Sequence, residues 1–185
     1  DQARTYKEHI LWICEQTTGS IKAAFYRLTD RDTAHALIAA HERGVLVEVV
    51  LDTSAVTSRY SLAHQLFSAG VSLWRYQPTG LLPPFPRTFP SIMHHKHLIF
   101  SGVRGGHSLV ACGSLNYTNA GFNGNEEQMQ IRSKHFEEFD VHFDRLKARS
   151  EVITHEHFDR QHMFPAILRQ HAHKGLAGLR RLLHR

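Results

Sequence analysis

The chain has 185 residues, of which 42% are hydrophobic and 21% are charged. This length suits one domain with a short extension, and such a domain buries enough apolar surface to fold without disulfides or a structural metal. The composition excludes disordered, collagen-like and disulfide-rich chains, and no apolar run approaches the roughly 18 residues that cross a membrane. A net charge of +5, with 16 histidines in addition, favours an anionic partner such as nucleic acid or an acidic membrane surface.

The first 76 residues alternate between helical and strand patterns. Helices are predicted over 3–17, from Asp30 or Asp32 to His41, and over 60–69, and strands over 21–28, 45–51 and 71–76. The strand at 45–51 (VLVEVVL) is rich in β-branched residues, which is typical of a strand buried on both faces of a parallel sheet. We therefore expect an α/β domain with a mixed, largely parallel sheet flanked by helices.

A proline-rich segment interrupts this alternation. Residues 78–92 contain five of the six prolines, so neither a helix nor a strand ladder is expected there. The segment also carries four large apolar side chains, Leu81, Leu82, Phe85 and Phe89. Three uses stay open for them: packing on the core, a lid or dimer contact near the site, and insertion into a membrane.

The chain after this segment predicts three further strands and two helices. The strands are 95–100, 108–113 and 128–132, and the helices are 117–122 and 134–150. In the long helix, Phe136, Phe139, Phe143 and Leu146 are spaced to share one face. Cys14 and Cys112 stand in apolar stretches and are predicted to be buried free thiols.

The basic excess is concentrated in the last 35 residues. Residues 151–185 hold six Lys and Arg against three Asp and Glu, together with six histidines. We expect a catalytic domain over 1–150 and a basic, His-rich helical tail over 151–185. The basic residues of the tail, including Lys174, Arg180 and Arg181, either contact a nucleic-acid backbone or form a solvated helix face.

The segment that begins IMHHKHLIF contains the first chemically informative residues. Side chains alternate faces along a strand, so His94 and Lys96 are expected on one side and His95 on the other. An imidazole beside an ammonium on one face needs an anion between them, and a phosphate meets that need. Neighbouring strand residues cannot easily share a metal, so a metal site formed by His94, His95 and His97 is disfavoured.

Polar residues at 113–127 follow the next strand. Gly113 allows close backbone approach, and Ser114 and Asn116 share a face. Asn116 is also expected to cap the short helix that follows, whose N–H groups favour an anion. Asn125 and Glu127 precede the last strand, and the carboxylate of Glu127 could orient a histidine.

These residues together resemble the HKD motif of the phospholipase D superfamily. The similarity lies in three elements in order, His94-His95-Lys96, Gly113-Ser114-Leu115-Asn116 and Asn125-Glu126-Glu127. M-H-H-K and G-S-L-N are especially similar to the small single-motif members, namely bacterial endonucleases and Zucchini-type mitochondrial nucleases. The family pattern H-x-K-x4-D has an aspartate where this chain has Ser101.

The resemblance implies a mechanism and a set of roles. His94 would attack phosphorus and form a phosphohistidine. Lys96, Asn116 and Ser114 would bind the phosphate oxygens, and Glu127 would accept the other imidazole N–H. No metal or other cofactor is implied. Because the chain has one motif, the second histidine would come from another copy, which predicts a homodimer with a shared active site.

The substrate stays open at this stage. A metal-independent phosphodiesterase acting as an endonuclease on DNA or RNA is favoured by the single motif and the basic tail. A phospholipase D-type hydrolase or transferase on membrane phospholipids is the alternative, and a non-catalytic nucleic-acid-binding module is the third hypothesis. The compartment is not indicated by the sequence.

Overall fold

The computed structural model describes residues 2–76 and 92–158. The predictions for Leu81, Leu82, Phe85 and Phe89, and those for Lys174, Arg180 and Arg181, lie outside these ranges. Within them, no helix has both the length and the apolar character to span a membrane.

Thirteen helices and strands form the described fold. The helices are α1 (Gln2–Gln16), α2 (Arg31–Glu42), α3 (Thr53–Thr57), α4 (Ala63–Ser68), α5 (Asn119–Asn123) and α6 (Phe136–Ala148). The strands are β1 (Ser20–Phe25), β2 (Leu46–Leu51), β3 (Ser72–Tyr76), β4 (Lys96–Val103), β5 (His107–Gly113), β6 (Met129–Arg132) and β7 (Ser150–Val152). Asp30, rather than Asp32, caps α2, because its carboxylate accepts from the backbone N–H of Thr33 at 2.9 Å.

The strands form one mixed seven-stranded sheet in the order β6-β5-β4-β1-β2-β3-β7. The predicted mixed α/β sheet flanked by helices is confirmed. The prediction of a largely parallel sheet holds only for β1, β2 and β3, because the other four pairings are antiparallel. Gly105 and Gly106, both with positive φ, make the turn that returns β5 directly beside β4.

The sheet domain continues past the predicted boundary at residue 150. The helix predicted over 134–150 ends at Ala148, and β7 then pairs antiparallel with β3, with Tyr76 opposite Ser150. One compact unit therefore spans Asp1–Ile153, and a second one spans Thr154–Arg185. In the second unit, the described residues 155–158 are helical.

Both faces of the central strands are buried. On one face, Phe143 and Leu146 of α6 pack on Ala24, Val50 and Ile99, and Phe136 and Phe139 contact the same cluster as predicted. Full burial of each large side chain contributes roughly 1.5–3 kcal/mol. Residues that alternate with this cluster, such as Phe25 and Leu98, are buried on the opposite face, where Phe25 contacts the Tyr117 ring. Cys14 is buried and Cys112 is half-buried, and both thiols are free.

Candidate active site

The predicted site residues lie at the same end of three neighbouring strands of the sheet. β4 begins at Lys96, β5 ends at Gly113 and β6 begins at Met129. The register pairs His97 with Cys112, and Gly113 with Met129. This pairing brings together the segments that precede β4, follow β5 and precede β6, although they are far apart in the sequence.

Tyr26 contacts two residues of the motif, His94 and Lys96. Its ring lies 4.5 Å from the His94 ring, between centroids, and 5.1 Å from Lys96 Nζ. Its backbone N–H donates to the carbonyl oxygen of His95 at 2.8 Å. His94 is exposed, whereas Lys96 is only 6% exposed. His94 and Lys96 thus lie on one side of the chain, as strand alternation predicts.

Lys96 is a buried ammonium that has no carboxylate of the described residues in hydrogen-bond contact. Its Nζ donates to the carbonyl oxygen of His94 at 2.9 Å. Burial lowers the pKa of Lys96 and the Glu127 carboxylate raises it in part, so that the pKa lies below the ordinary lysine value. An ammonium has three donors, so Lys96 has further N–H bonds to offer to an anion.

Glu127 is held by two polar side chains. Ser114 Oγ donates to Glu127 Oε2 at 2.5 Å, and Asn125 Nδ2 donates to Glu127 Oε1 at 3.1 Å. Ser114 Oγ also accepts from the backbone N–H of Gln128 at 3.0 Å. The Ser114 hydroxyl therefore already donates its proton to Glu127. To donate to a phosphate instead, the hydroxyl would have to rotate and give up this hydrogen bond. The hydrogen bonds described for Glu127 go to Ser114 and Asn125 rather than to His94.

Gly113 allows the end of β5 to lie close to the backbone of Gln128, which precedes β6. A Cβ at this position would lie 1.9 Å from the carbonyl oxygen of Gln128, which no real side chain tolerates. The backbone N–H of Ser114 donates to that same oxygen at 2.9 Å. Glycine is therefore required here by close backbone approach, as the sequence predicts.

Asn116 is half-buried, and its Oδ1 is buried without a hydrogen-bond partner among the described residues. It does not cap α5, contrary to the prediction. Thr118 is the cap, because its Oγ1 accepts from the backbone N–H of Gly121 at 3.1 Å. The helix begins three residues after Asn116, so this amide is left for another partner.

Ser101 lies at the far end of β4 from the site. It is five residues beyond Lys96, roughly 17 Å along an extended strand. Its Oγ accepts from the backbone N–H of Ser20 at 3.0 Å and contacts Ser20 Oγ at 2.8 Å. The serine that replaces the family's aspartate therefore joins β4 to β1 and does not touch His94 or Lys96.

His95 lies on the opposite side of the chain, as predicted. Its ring is 5.4 Å from that of His97 and 4.9 Å from that of His142 on α6, between centroids. Among the residues of the two described ranges, no group of three His, Cys, Asp or Glu side chains has a geometry that could hold a metal ion.

Tyr26 and the hydrogen bond between Ser114 and Glu127 could not be predicted from the sequence. Both depend on strand pairing between distant segments. The position of Tyr26 directly after β1 gives a signal only once β1 is known to pair with β4.

Comparison with known proteins identifies the family. A family model described as "Cardiolipin synthase, PLD-like domain" matches residues 12–147. The chain belongs to this PLD-like family. The match contains all the segments that form the site, and it confirms the resemblance to the phospholipase D superfamily.

Curated relatives of this PLD-like chain include mitochondrial cardiolipin hydrolases. The Xenopus laevis protein is 27% identical over 141 residues, which cover 75% of this chain and 60% of that protein. The Danio rerio protein is 27% identical over 124 residues, which cover 67% of this chain and 46% of that protein. The PLD-like chain thus spans about half to three fifths of the length of these relatives.

Solved structures share the PLD-like fold. Nuc from Salmonella typhimurium, described as a phospholipase D family member, has a TM-score of 0.64 and 27% identity, with 80% of this chain and 90% of Nuc covered. NucT from Helicobacter pylori has a TM-score of 0.72 and 18% identity, with 82% of this chain and 93% of NucT covered. The likeness to NucT concerns the fold alone.

Proposed function

We propose that this PLD-like chain is a metal-independent phosphodiesterase that acts through a phosphohistidine on His94, with an endonuclease activity on DNA or RNA. The observation that carries the proposal is the pairing of an exposed imidazole with a buried ammonium, His94 with Lys96, across the Tyr26 ring. Such a pair attracts a phosphate group and also offers a nucleophile to it.

In the first step, a neutral His94 nitrogen attacks phosphorus and the bond to the leaving oxygen breaks. Lys96 and the Asn116 amide bind the non-bridging oxygens as their charge grows. The leaving oxygen takes a proton from a second histidine, which acts as general acid. In the second step, that histidine removes a proton from water, the water oxygen attacks the phosphohistidine, and His94 is released.

Glu127 has a positioning role in this proposal. Its carboxylate is held by Ser114 and Asn125, and it raises the pKa of Lys96 against the effect of burial. It therefore helps to keep Lys96 charged while the phosphate is bound. Contact of the Glu127 carboxylate with the ring N–H of His94 that does not face phosphorus would fix the tautomer of His94 that attacks.

We further propose that the second histidine is His94 of another copy, so that two chains share one site. The sequence contains one H-x-K with a following G-S-x-N, and His94 is exposed at the strand edge. A site that needs both copies of His94 is inactive in a mixed dimer of wild type and His94→Ala.

Subunit mixing tests this shared site. Wild type and His94→Ala are mixed equally and allowed to exchange subunits. The mixture should have about a quarter of the activity of pure wild type at the same total protein concentration, because only dimers of two wild-type chains work. Independent sites would instead leave about half. A fully active monomer in sedimentation velocity would also contradict the shared site.

Nucleic acid is the favoured substrate, because the motif resembles small endonucleases and the chain carries a net charge of +5. Membrane phospholipid is the second candidate, favoured by the similarity to mitochondrial cardiolipin hydrolases. Incubation in EDTA with single-stranded DNA and RNA, and in parallel with cardiolipin vesicles, separates them. We expect cleavage of the nucleic acid; cleavage of lipid alone would support the second candidate, and a requirement for divalent cations would contradict the mechanism.

A variant of the nucleophile separates catalysis from binding alone. His94→Ala should lower turnover by at least about 10³-fold, because the covalent intermediate cannot form. Its melting temperature should change little, since His94 is exposed. His107→Ala, at the exposed first residue of β5, is the matched control and should keep full activity. Nucleic-acid binding without turnover in the wild type would instead support a non-catalytic module.

A further inference from the structure

A small pocket lies on the opposite side of the strand from His94 and Lys96. It has a volume of about 180 Å³ and is lined by Tyr76, Met93, His95, His142, Arg145 and Arg149, with apolar neighbours. Pockets that enclose drug-sized ligands usually have about 300–1000 Å³. The pocket is therefore too small for a whole nucleotide, but it has room for one tetrahedral anion and a few waters.

Two basic residues of α6 and its C-cap residue Arg149 line this pocket. His142, Arg145 and Arg149 follow one another at helical spacing and line it, whereas Asp140 and Asp144 pair with Lys22 elsewhere. No carboxylate of the described residues lines the pocket. The nearby carboxylate of Asp52 is buried and accepts from the backbone N–H of Met93 at 2.8 Å.

A pair of histidines adds a further donor to the two guanidinium groups. The Nε2 atoms of His95 and His142 are 3.3 Å apart, so one ring donates and the other accepts. Burial, followed by the charges of His142, Lys96 and His94, lowers the pKa of His95. In a neutral pair, the accepting ring carries its proton on Nδ1, so the pair keeps one further N–H donor.

We propose that this pocket is a second anion site, which binds a phosphate group between Arg145, Arg149 and the His95–His142 pair. Guanidinium groups bind phosphate oxygens with two parallel N–H bonds, and Arg149 is already held beside the pocket by its contact with Tyr76 Oη at 3.4 Å. The site is separate from the catalytic one, because His95 and Lys96 point to opposite faces of the strand. The phosphate is either free or part of the polyanionic substrate.

Titration with inorganic phosphate, monitored by NMR of the histidine ring protons, tests the site directly. The experiment uses full-length His94→Ala protein at constant ionic strength, so that the catalytic histidine contributes no signal. We expect saturable shifts of His95 and His142, with His107 unaffected. Arg145→Gln should weaken this binding at least about tenfold and Arg145→Lys less, because lysine keeps the charge but not the paired donors.

Arg104→Gln is the matched control, because Arg104 is an exposed arginine in the β4–β5 turn and should leave the titration unchanged. In the wild-type background, a higher KM of Arg145→Gln with kcat kept would assign the phosphate to the substrate, and an unchanged KM would assign it to free phosphate. Absence of shifts at His95 and His142 in 100 mM phosphate, or equal loss of binding in Arg104→Gln, would overturn the proposal. Saturable shifts of His95 and His142 in His94→Ala, a variant without catalysis, would show that phosphate binding in this pocket does not depend on the catalytic histidine.

Discussion

Tyr26 contributes to the site through the contacts of its ring, and no proton transfer in the proposed steps uses it. Its ring face attracts the Lys96 ammonium, an interaction worth about 0.5–2 kcal/mol, and it also limits the orientations of the His94 ring. Lys96 would otherwise be a buried cation with a carbonyl as its main partner. The tyrosine thus offsets part of the cost of keeping a charge ready for phosphate.

A substitution at Tyr26 tests this positioning role. Tyr26→Leu should lower kcat about tenfold with a smaller change in KM, because the nucleophile is present but less well oriented. Tyr26→Phe keeps the ring and should retain most of the activity. Steady-state kinetics together with melting curves decide the matter: equal activity of Tyr26→Leu and Tyr26→Phe would argue against an aromatic contribution.

Residue-level prediction succeeded where a local rule applied. Alternation along a strand is enough to place His94 with Lys96 and His95 opposite them, and backbone contact explains Gly113. The partner of Ser114 could not be predicted, because Glu127 meets it only through the pairing of β5 with β6. The motif therefore indicates which residues belong to the site, and strand pairing determines which of them touch.

At the scale of elements, the helices and the hydrophobic strands were predictable from their periodicity. α2 has an acidic cap and an apolar face, and β2 is nearly continuously apolar. The direction of the strands could not be predicted in the same way. The sequence between β3 and β4 gives no signal for whether β4 runs parallel or antiparallel to its neighbour β1. β7 has only three residues and looks like the end of a helix until its pairing with β3 is known.

The approach of β5 to β6 gives a test at this scale. Gly113→Ala places a Cβ 1.9 Å from the carbonyl oxygen of Gln128 and should destabilise the fold by about 1–3 kcal/mol, with a loss of activity as Ser114 and Glu127 separate. Gly124→Ala is the control, since its Cβ would meet nothing closer than 3.4 Å. Urea denaturation gives the comparison, and equal stability of the two variants would contradict the close approach.

At the scale of the whole molecule, His97 ties stability to pH. It is buried against Phe139 and the other histidines, its Nε2 has no hydrogen-bond partner among the described residues, and burial lowers its pKa to about 3. The unfolded chain binds this proton near the ordinary pKa of about 6.5. The contribution of His97 to stability is therefore full above about pH 6.5 and is lost as the pH decreases toward 3.

Urea denaturation at pH 7.5 and 5.5 measures this dependence. The free energy of unfolding should fall by about 1 kcal/mol between them on account of His97, with a further contribution from His95, whose pKa is also lowered. His97→Leu should reduce the fall, whereas His107→Gln at an exposed position should not. A pH dependence of His97→Leu as steep as that of wild type would show that other groups carry it.

The order of the strands has a consequence for how copies of this chain can meet. The sheet ends in β6, with four residues, and β7, with three, so each border offers few free backbone groups to a neighbouring chain. Short border strands of this kind discourage two sheets from joining into one. In the proposed dimer, the partner copy would instead contact the strand ends that carry His94, so that association and chemistry would use the same surface.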